Sequence, residues 1–181
     1  KNGDNFDVVI PSRSLREFTS VFSDDIETVE VFFANNQILF RSEHISFYTR
    51  LLEGNYPDTD RLIPTEFNTE ATFNVANLRF AMERARLLSN ATQNGTVKLE
   101  FKNGVVSSHV HSPEVGRVNE EIDTSAVSGE DLSISFNPTY LIEALKAIDS
   151  EQVVIRFISS VRPFTLVPEG NEQGFIQLIT P

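Results

Sequence analysis

The chain has 181 residues, room for one large domain or two small ones, and its 40% hydrophobic content is enough for a packed core, which excludes a disordered tail. It contains no Cys, so disulfides and thiolate metal sites are excluded; a polar start and the lack of any run of about 18 apolar residues argue against a signal peptide or membrane span and for a cytoplasmic protein. A formal net charge of −11 excludes a protein that coats DNA non-specifically through many Lys and Arg, because that mode depends on releasing counterions from phosphates.

Fifteen Phe with many Val, Ile and Thr lean toward a sheet-rich fold, so helices are argued locally. Ile10 is strand-like and leads through Pro11 into a helix expected over 12–23, with Leu15, Phe18 and Phe22 on one face. An apolar run at 29–33 reads as a strand, Asn35-Asn36 as a turn into a second, and 45–52 as a third. Gly, Pro and Asp at 53–60 mark a linker. Phe73 then leads into a helix over 75–88 whose apolar face carries Leu78, Ala81, Ala85 and Leu88. Asn90 and Asn94 head two Asn-x-Thr triplets, which matter only after secretion. Alternation at 97–101 gives a strand, Asn103-Gly104 a turn into the next, and 117–122 a third. Phe136 leads into a helix over 138–148 with Leu141, Ala144, Leu145 and Ile148 on one face, and Pro138 sits where the first turn tolerates its missing N–H. Strands follow at 153–157, after the turn-like Ser159-Ser160, and at 175–180.

These elements form three copies of one unit: a strand, a helix, then three strands. Leu15, Leu78 and Leu141 recur 63 residues apart. One unit cannot cover both faces of its helix and sheet, so units are expected to pair around a shared core. The second and third then make a complete domain over 64–181, and the first, within 1–63, is the second half of another domain. The fold class is α+β.

A domain whose halves repeat in this way is the pattern of DNA sliding clamps, and local motifs strengthen it. The chain resembles the bacterial beta clamp in Leu-Leu-Glu-Gly-Asn-Tyr-Pro-Asp at 51–58, Arg-Ala-Arg-Leu-Leu-Ser-Asn at 84–90 and the closing Leu-Ile-Thr-Pro at 178–181. The resemblance implies the β subunit of the replicative DNA polymerase III, with helices lining an inner face and antiparallel sheets outside. Two subunits of three domains each would close into a ring around duplex DNA. On that view the present chain is a C-terminal fragment, half of the middle domain and all of the last.

Charge placement bears on this independently. The three expected helices carry Arg13, Arg16, Arg79, Arg84, Arg86 and Lys146 against Glu17, Glu83 and Glu143, a net of +3 that leaves −14 for the remainder. A basic inner wall with an acidic exterior is compatible with encircling DNA without reading its sequence. Arg13, Arg79, Arg86 and Lys146 are the DNA-facing candidates, Arg79 and Arg86 seven residues apart on one helical face. Arg84 has the alternative of pointing to a sheet edge.

The resemblance also implies a pocket that captures short linear peptides of polymerases, clamp loader and repair proteins. Carried over by position, it takes Pro57, Arg61 and Leu62 at the junction, Asn137 and Tyr140 at a helix start, Val161 and Pro163 on the later strands, and Leu178, Thr180 and Pro181 at the end. Apolar walls with a few amide, phenol and guanidinium groups suit that task. The implied homodimer contact uses Leu87 and Leu88, with Glu120 and Glu121 as flanking charges.

An enzyme reading would rest on His109 and His111, which alternate on one strand and share a side; a metal site needs a third ligand. The chain has no phosphate-binding Gly loop, nucleophile elbow or HExxH, so no catalytic residue, metal or cofactor is expected. The alternative of another class is a protein-interaction adaptor with no DNA contact, favoured if the helical basic residues scatter over unrelated surfaces.

Overall fold

The computed structural model describes residues 7–22, 25–54, 58–59, 61–89, 95–112, 116–171 and 174–181. The chain divides into two compact units, Lys1–Thr59 and Asp60–Pro181, where the expected boundary lay after residue 63.

The first unit holds α1 (Ser12–Val21) and an antiparallel sheet of β1 (Glu30–Ala34), β2 (Gln37–Arg41) and β3 (Ser46–Arg50). The Asn35-Asn36 turn forms as the sequence reading expects, with Asn35 at φ 53°. The helix lays Phe18 on the sheet, its ring centroid 4.6 Å from Phe40 and 6.2 Å from Phe47, and 4.5 Å from Phe22. No residue of α1 is itself buried, and its N-terminus at Pro11 has no side-chain cap. The strand expected around Ile10 reduces to a lone bridge between Val9 and Leu52.

The second unit is the paired arrangement. It runs β4 (Thr69–Asn74), α2 (Val75–Ser89), β5 (Val97–Lys102), β6 (Val105–Ser112), β7 (Gly116–Ile122), β8 (Ala126–Gly129), β9 (Leu132–Phe136), α3 (Pro138–Lys146), β10 (Gln152–Phe157), β11 (Phe164–Pro168) and β12 (Gln177–Ile179). Its two antiparallel sheets have the orders β12-β11-β10-β4-β8 and β7-β6-β5-β9. The leading strand of each repeat therefore leaves its own sheet: β4 pairs with β10 of the third copy, and β9 with β5 of the second. This reciprocal exchange is an internal pseudo-twofold relation, and it ties the two halves through backbone hydrogen bonds as well as packing.

Alternation along the strands decides what the exchange buries. Val97, Leu99 and Phe101 of β5 point inward while Lys98, Glu100 and Lys102 point out. Phe101 meets Phe157 of the opposite sheet at 4.9 Å between centroids, and Phe136 meets Phe164 at 5.1 Å. Leu78, Ala81, Met82 and Ala85 of α2, with Leu141, Ile142 and Leu145 of α3, complete that core, and the helices pack against each other. Asn74 accepts from the Asn77 N–H and Asn137 from the Thr139 N–H, so both helices are capped by an Asn side chain at 2.9–3.0 Å.

Two features differ from the expectation. β8 was not foreseen; it adds an edge to the five-stranded sheet, and its Gly129 (φ +98°) lies so close to Asn68 that a Cβ would fall 2.0 Å from the Asn68 carbonyl oxygen. The Ser159-Ser160 turn is part of a longer loop between β10 and β11, unlike the two-residue Asn103-Gly104 turn, whose positive φ angles of 51° and 78° fit a hairpin of type I′.

Candidate functional site

An open groove of about 370 Å³ lies between α3 and β12, the edge strand of its sheet. Tyr140, Glu143 and Ala144 form the helix side; Gln177, Leu178, Ile179 and Thr180 form the strand side. Tyr140 is 58% exposed, so its ring is a wall of the groove, while Ile179 is buried and fixes the strand. Three of the residues singled out from sequence, Tyr140, Leu178 and Thr180, are brought together here. Glu143 and Gln177 were missed, although Glu143 follows Tyr140 by one helical turn and so shares its face.

The other pocket candidates do not line this groove. Asn137 spends its side-chain oxygen on the α3 cap. Leu62 and Val161 are exposed, Arg61 and Pro181 are exposed, and Pro163 is half-buried. Asn68 donates from its backbone N–H to Phe157 and from Nδ2 to Ile158, which fastens the segment after Leu62 to the strand that feeds the Val161 loop. Pro57 lies outside the described residues, as do Asn90 and Asn94.

Glu143 links the groove to the basic residues. Its Oε1 accepts a 2.8 Å hydrogen bond from Nζ of Lys146, and Arg86 of α2 is near enough to act on it. The Lys146 hydrogen bond and charge, then Arg86, hold the Glu143 carboxyl below its usual range. Lys146 thus binds this carboxylate directly, while Arg86, from the other repeat, bears on it only through longer-range charge. Arg79, on the same helix as Arg86, rests its guanidinium over Phe80 at 5.4 Å, with Nε 3.8 Å from Glu83 and no hydrogen-bond acceptor. Arg13 stands in the other unit, highly exposed and paired with Glu17 at 3.0 Å.

Arg84 takes the sheet-edge alternative. Its guanidinium binds the Glu120 carboxylate on β7, which is itself an edge strand. Next to this pair Leu87 is 70% exposed, while Leu88 is half-buried against the core; Glu121 is exposed. Phe80, half-exposed beside Arg84, was missed, yet the helical count that turned Leu78, Ala81, Ala85 and Leu88 inward already left Phe80 and Leu87 on the outer side. The α2/β7 hollow is the pseudo-twofold counterpart of the α3/β12 groove: Asn77, Phe80 and Ala81 stand 63 residues before Tyr140, Glu143 and Ala144.

His109 is committed to its own sheet. Nδ1 donates to Asn119 Oδ1 at 2.7 Å and Nε2 is hydrogen-bonded with Ser107 Oγ at 2.9 Å, with Glu100 at 3.5 Å. His111 is exposed, and no group of three metal-ligating side chains occurs among the described residues. No helix among them is long and apolar enough to cross a membrane.

Residues 60–181 match the family profile of the DNA polymerase III beta subunit, C-terminal domain, and residues 1–58 that of its central domain. A beta sliding clamp of Streptococcus pneumoniae (strain TIGR4) is 80% identical over all 181 residues, and one of Lactococcus lactis is 54% identical over 178 residues, 97% of this chain. The chain spans about half the length of the curated relatives it matches, 48% and 47% respectively. The solved beta chain from Streptococcus pneumoniae superposes with a TM-score of 0.94 at 80% identity, covering 100% of this chain and 48% of that one. The Bacillus subtilis clamp gives 0.88 at 37% identity, covering 97% and 46%.

Proposed function

This chain belongs to the DNA polymerase III beta subunit family, the sliding clamps, and from that membership we propose that it serves in a DNA polymerase processivity factor, a cytoplasmic ring-forming homodimer that encircles duplex DNA. The role is mechanical, with no catalytic residue and no cofactor: the ring retains DNA by topology and tethers polymerase, clamp loader and repair proteins through short linear peptides. The observation that carries the reading is the α3/β12 groove, where Tyr140, Leu178 and Thr180 line one open cleft beside an edge strand. An exposed aromatic ring over an apolar strand suits capture of a peptide's apolar side chains. Arg61, Leu62, Val161, Pro163 and Pro181 extend that site, and Pro57 joins them by position.

Arg79, Arg86 and Lys146 form the DNA-facing set, with Arg13 contributed by the other unit. α2 and α3, which carry Arg79, Arg86 and Lys146, pack against each other, and that neighbourhood favours a common basic wall over scattered charges, and so favours the clamp over an adaptor without DNA contact. Such contacts are to phosphates, carry no sequence information and weaken with salt. Leu87, Leu88, Glu120 and Glu121, along the α2/β7 edge where Leu87 and Phe80 are exposed, are assigned to the subunit contact, with Phe80 added.

Calorimetry with a consensus clamp-binding peptide tests the groove. Tyr140→Ala is expected to weaken binding about tenfold or more, as loss of a central aromatic anchor does, and Arg61→Ala by less. Unchanged binding in both variants removes the assignment.

A further inference from the structure

Glu143 belongs to two surfaces at once. Its residue forms part of the helix wall of the α3/β12 groove, and its carboxylate accepts the Lys146 ammonium at 2.8 Å on the side that carries the basic residues. It is the one carboxylate among the described residues lining that groove. As an exposed Glu it is ionised at neutral pH, and Lys146 and, more weakly, Arg86 favour that charged form further. The Glu143–Lys146 pair is exposed, 61% and 50% at the two side chains, so it is a weak, exchangeable contact that a competing cation can replace at little cost.

We infer that Glu143 sets a charge preference in the groove, favouring a bound peptide that carries a Lys or Arg side chain beside α3, and that Lys146 holds this preference in check by occupying the same carboxylate. The inference rests on the α3/β12 groove being the peptide site. Its basis is competition: one carboxylate serves either an internal ammonium one turn away or a ligand cation in the cleft. With Lys146 in place the ligand cation gains only what it adds beyond an existing partner. With Lys146 removed, only the weaker influence of Arg86 competes with it for the carboxylate.

The test uses two sets of peptides built on one neutral clamp-binding parent, scanned singly with Lys and with Glu through its non-apolar positions. Affinities are read by fluorescence anisotropy at low salt. At the position beside α3 the Lys peptide is expected to bind the natural chain about threefold more tightly than the Glu peptide, the size typical of exposed pairs. Lys146→Met should raise that ratio to about fivefold, the upper end for exposed pairs, as the carboxylate loses its hydrogen-bonded partner while Arg86 still acts on it weakly. Glu143→Gln should bring it to parity. A ratio in Glu143→Gln equal to that of the natural chain, or one that Lys146→Met leaves unmoved, overturns the inference. If instead the neutral parent binds Tyr140→Ala as well as it binds the natural chain, the groove itself is misassigned, a separate failure.

Discussion

Leu15, Leu78 and Leu141 hold the same place in three copies of one repeat, but Leu78 and Leu141 are fully buried and Leu15 is 43% exposed. The amphipathic pattern is equally clear in all three. What differs is company: the second and third copies exchange β4 and β9 and close a core of two helices and two sheets, whereas α1 rests on three strands with none of its residues buried. Among its described residues the first copy buries Phe22 and Ile38, whereas the extensive core forms where the inward faces of the second and third copies meet.

Truncating the three leucines breaks this comparison or upholds it, and carries the largest expected effect. Leu78→Ala and Leu141→Ala each remove a fully buried side chain and leave a cavity, at a cost of about 2–5 kcal/mol to the Asp60–Pro181 unit. Leu15→Ala, whose side chain is already partly in water, should cost about 1 kcal/mol or less. Denaturant unfolding of the variants measures all three. Equal losses at Leu15 and Leu78 would show that the first copy has a core of its own.

The two grooves of the paired unit sharpen the comparison further. Tyr140 and Asn77 are equivalent by the repeat, and each faces an edge strand, β12 or β7. Tyr140→Ala is expected to reduce peptide affinity about tenfold, while Asn77→Ala leaves it unchanged, because the aromatic stands at the Tyr140 position only in the α3/β12 copy, and the α2/β7 copy carries its aromatic, Phe80, one turn later beside the Arg84–Glu120 pair. Calorimetry on the two variants decides it. An equal loss from Asn77→Ala would mean that the grooves have not diverged.

Much of this was legible in the sequence, for reasons that also explain the omissions. Helix placement followed from apolar residues at helical spacing after a polar or Pro break, and the Asn103-Gly104 turn from the need for positive φ at both residues. The sheet that a leading strand joins is not written in its own residues. β4, Thr-Glu-Ala-Thr-Phe-Asn, alternates correctly for either partner, so the exchange emerges only from the pairing of halves. β8, Ala-Val-Ser-Gly, lacks the β-branched and aromatic density that marks a strand, and is held by register against β4. Tyr140 entered through family resemblance alone, since an exposed Tyr in a helix start has no periodic signature; Phe80 and Glu143 were readable from helical faces but were not drawn out.

Helix capping gives a smaller contrast between the first copy and the other two. Asn74 and Asn137 each satisfy an N-terminal N–H, while Pro11 offers no side chain to α1. Replacing either Asn by Ala should cost about 1 kcal/mol, and Asn137→Asp should retain most of the stability because its carboxylate accepts the same bond and suits the helix dipole. Unfolding midpoints check this. If Asn137→Ala is silent in stability but weakens peptide binding, the side chain belongs to the groove and not to the cap.

The smallest effect concerns Glu143, where the two halves meet through charge. Lys146, first by its hydrogen bond and then by its charge, and Arg86 more weakly, depress the Glu143 pKa. A depressed folded-state pKa means that the pair's contribution is present above the unfolded carboxyl value and fades as pH falls through the lower, folded one. Titration of the Glu143 carboxyl carbon by NMR should therefore show a midpoint below the ordinary Glu range, shifted up in Lys146→Met and shifted up less in Arg86→Met. The order matters more than the size: a larger response to Arg86 than to Lys146 would mean that the contact between the two repeats, and not the turn within α3, holds this carboxylate, so that the groove answers to its partner half.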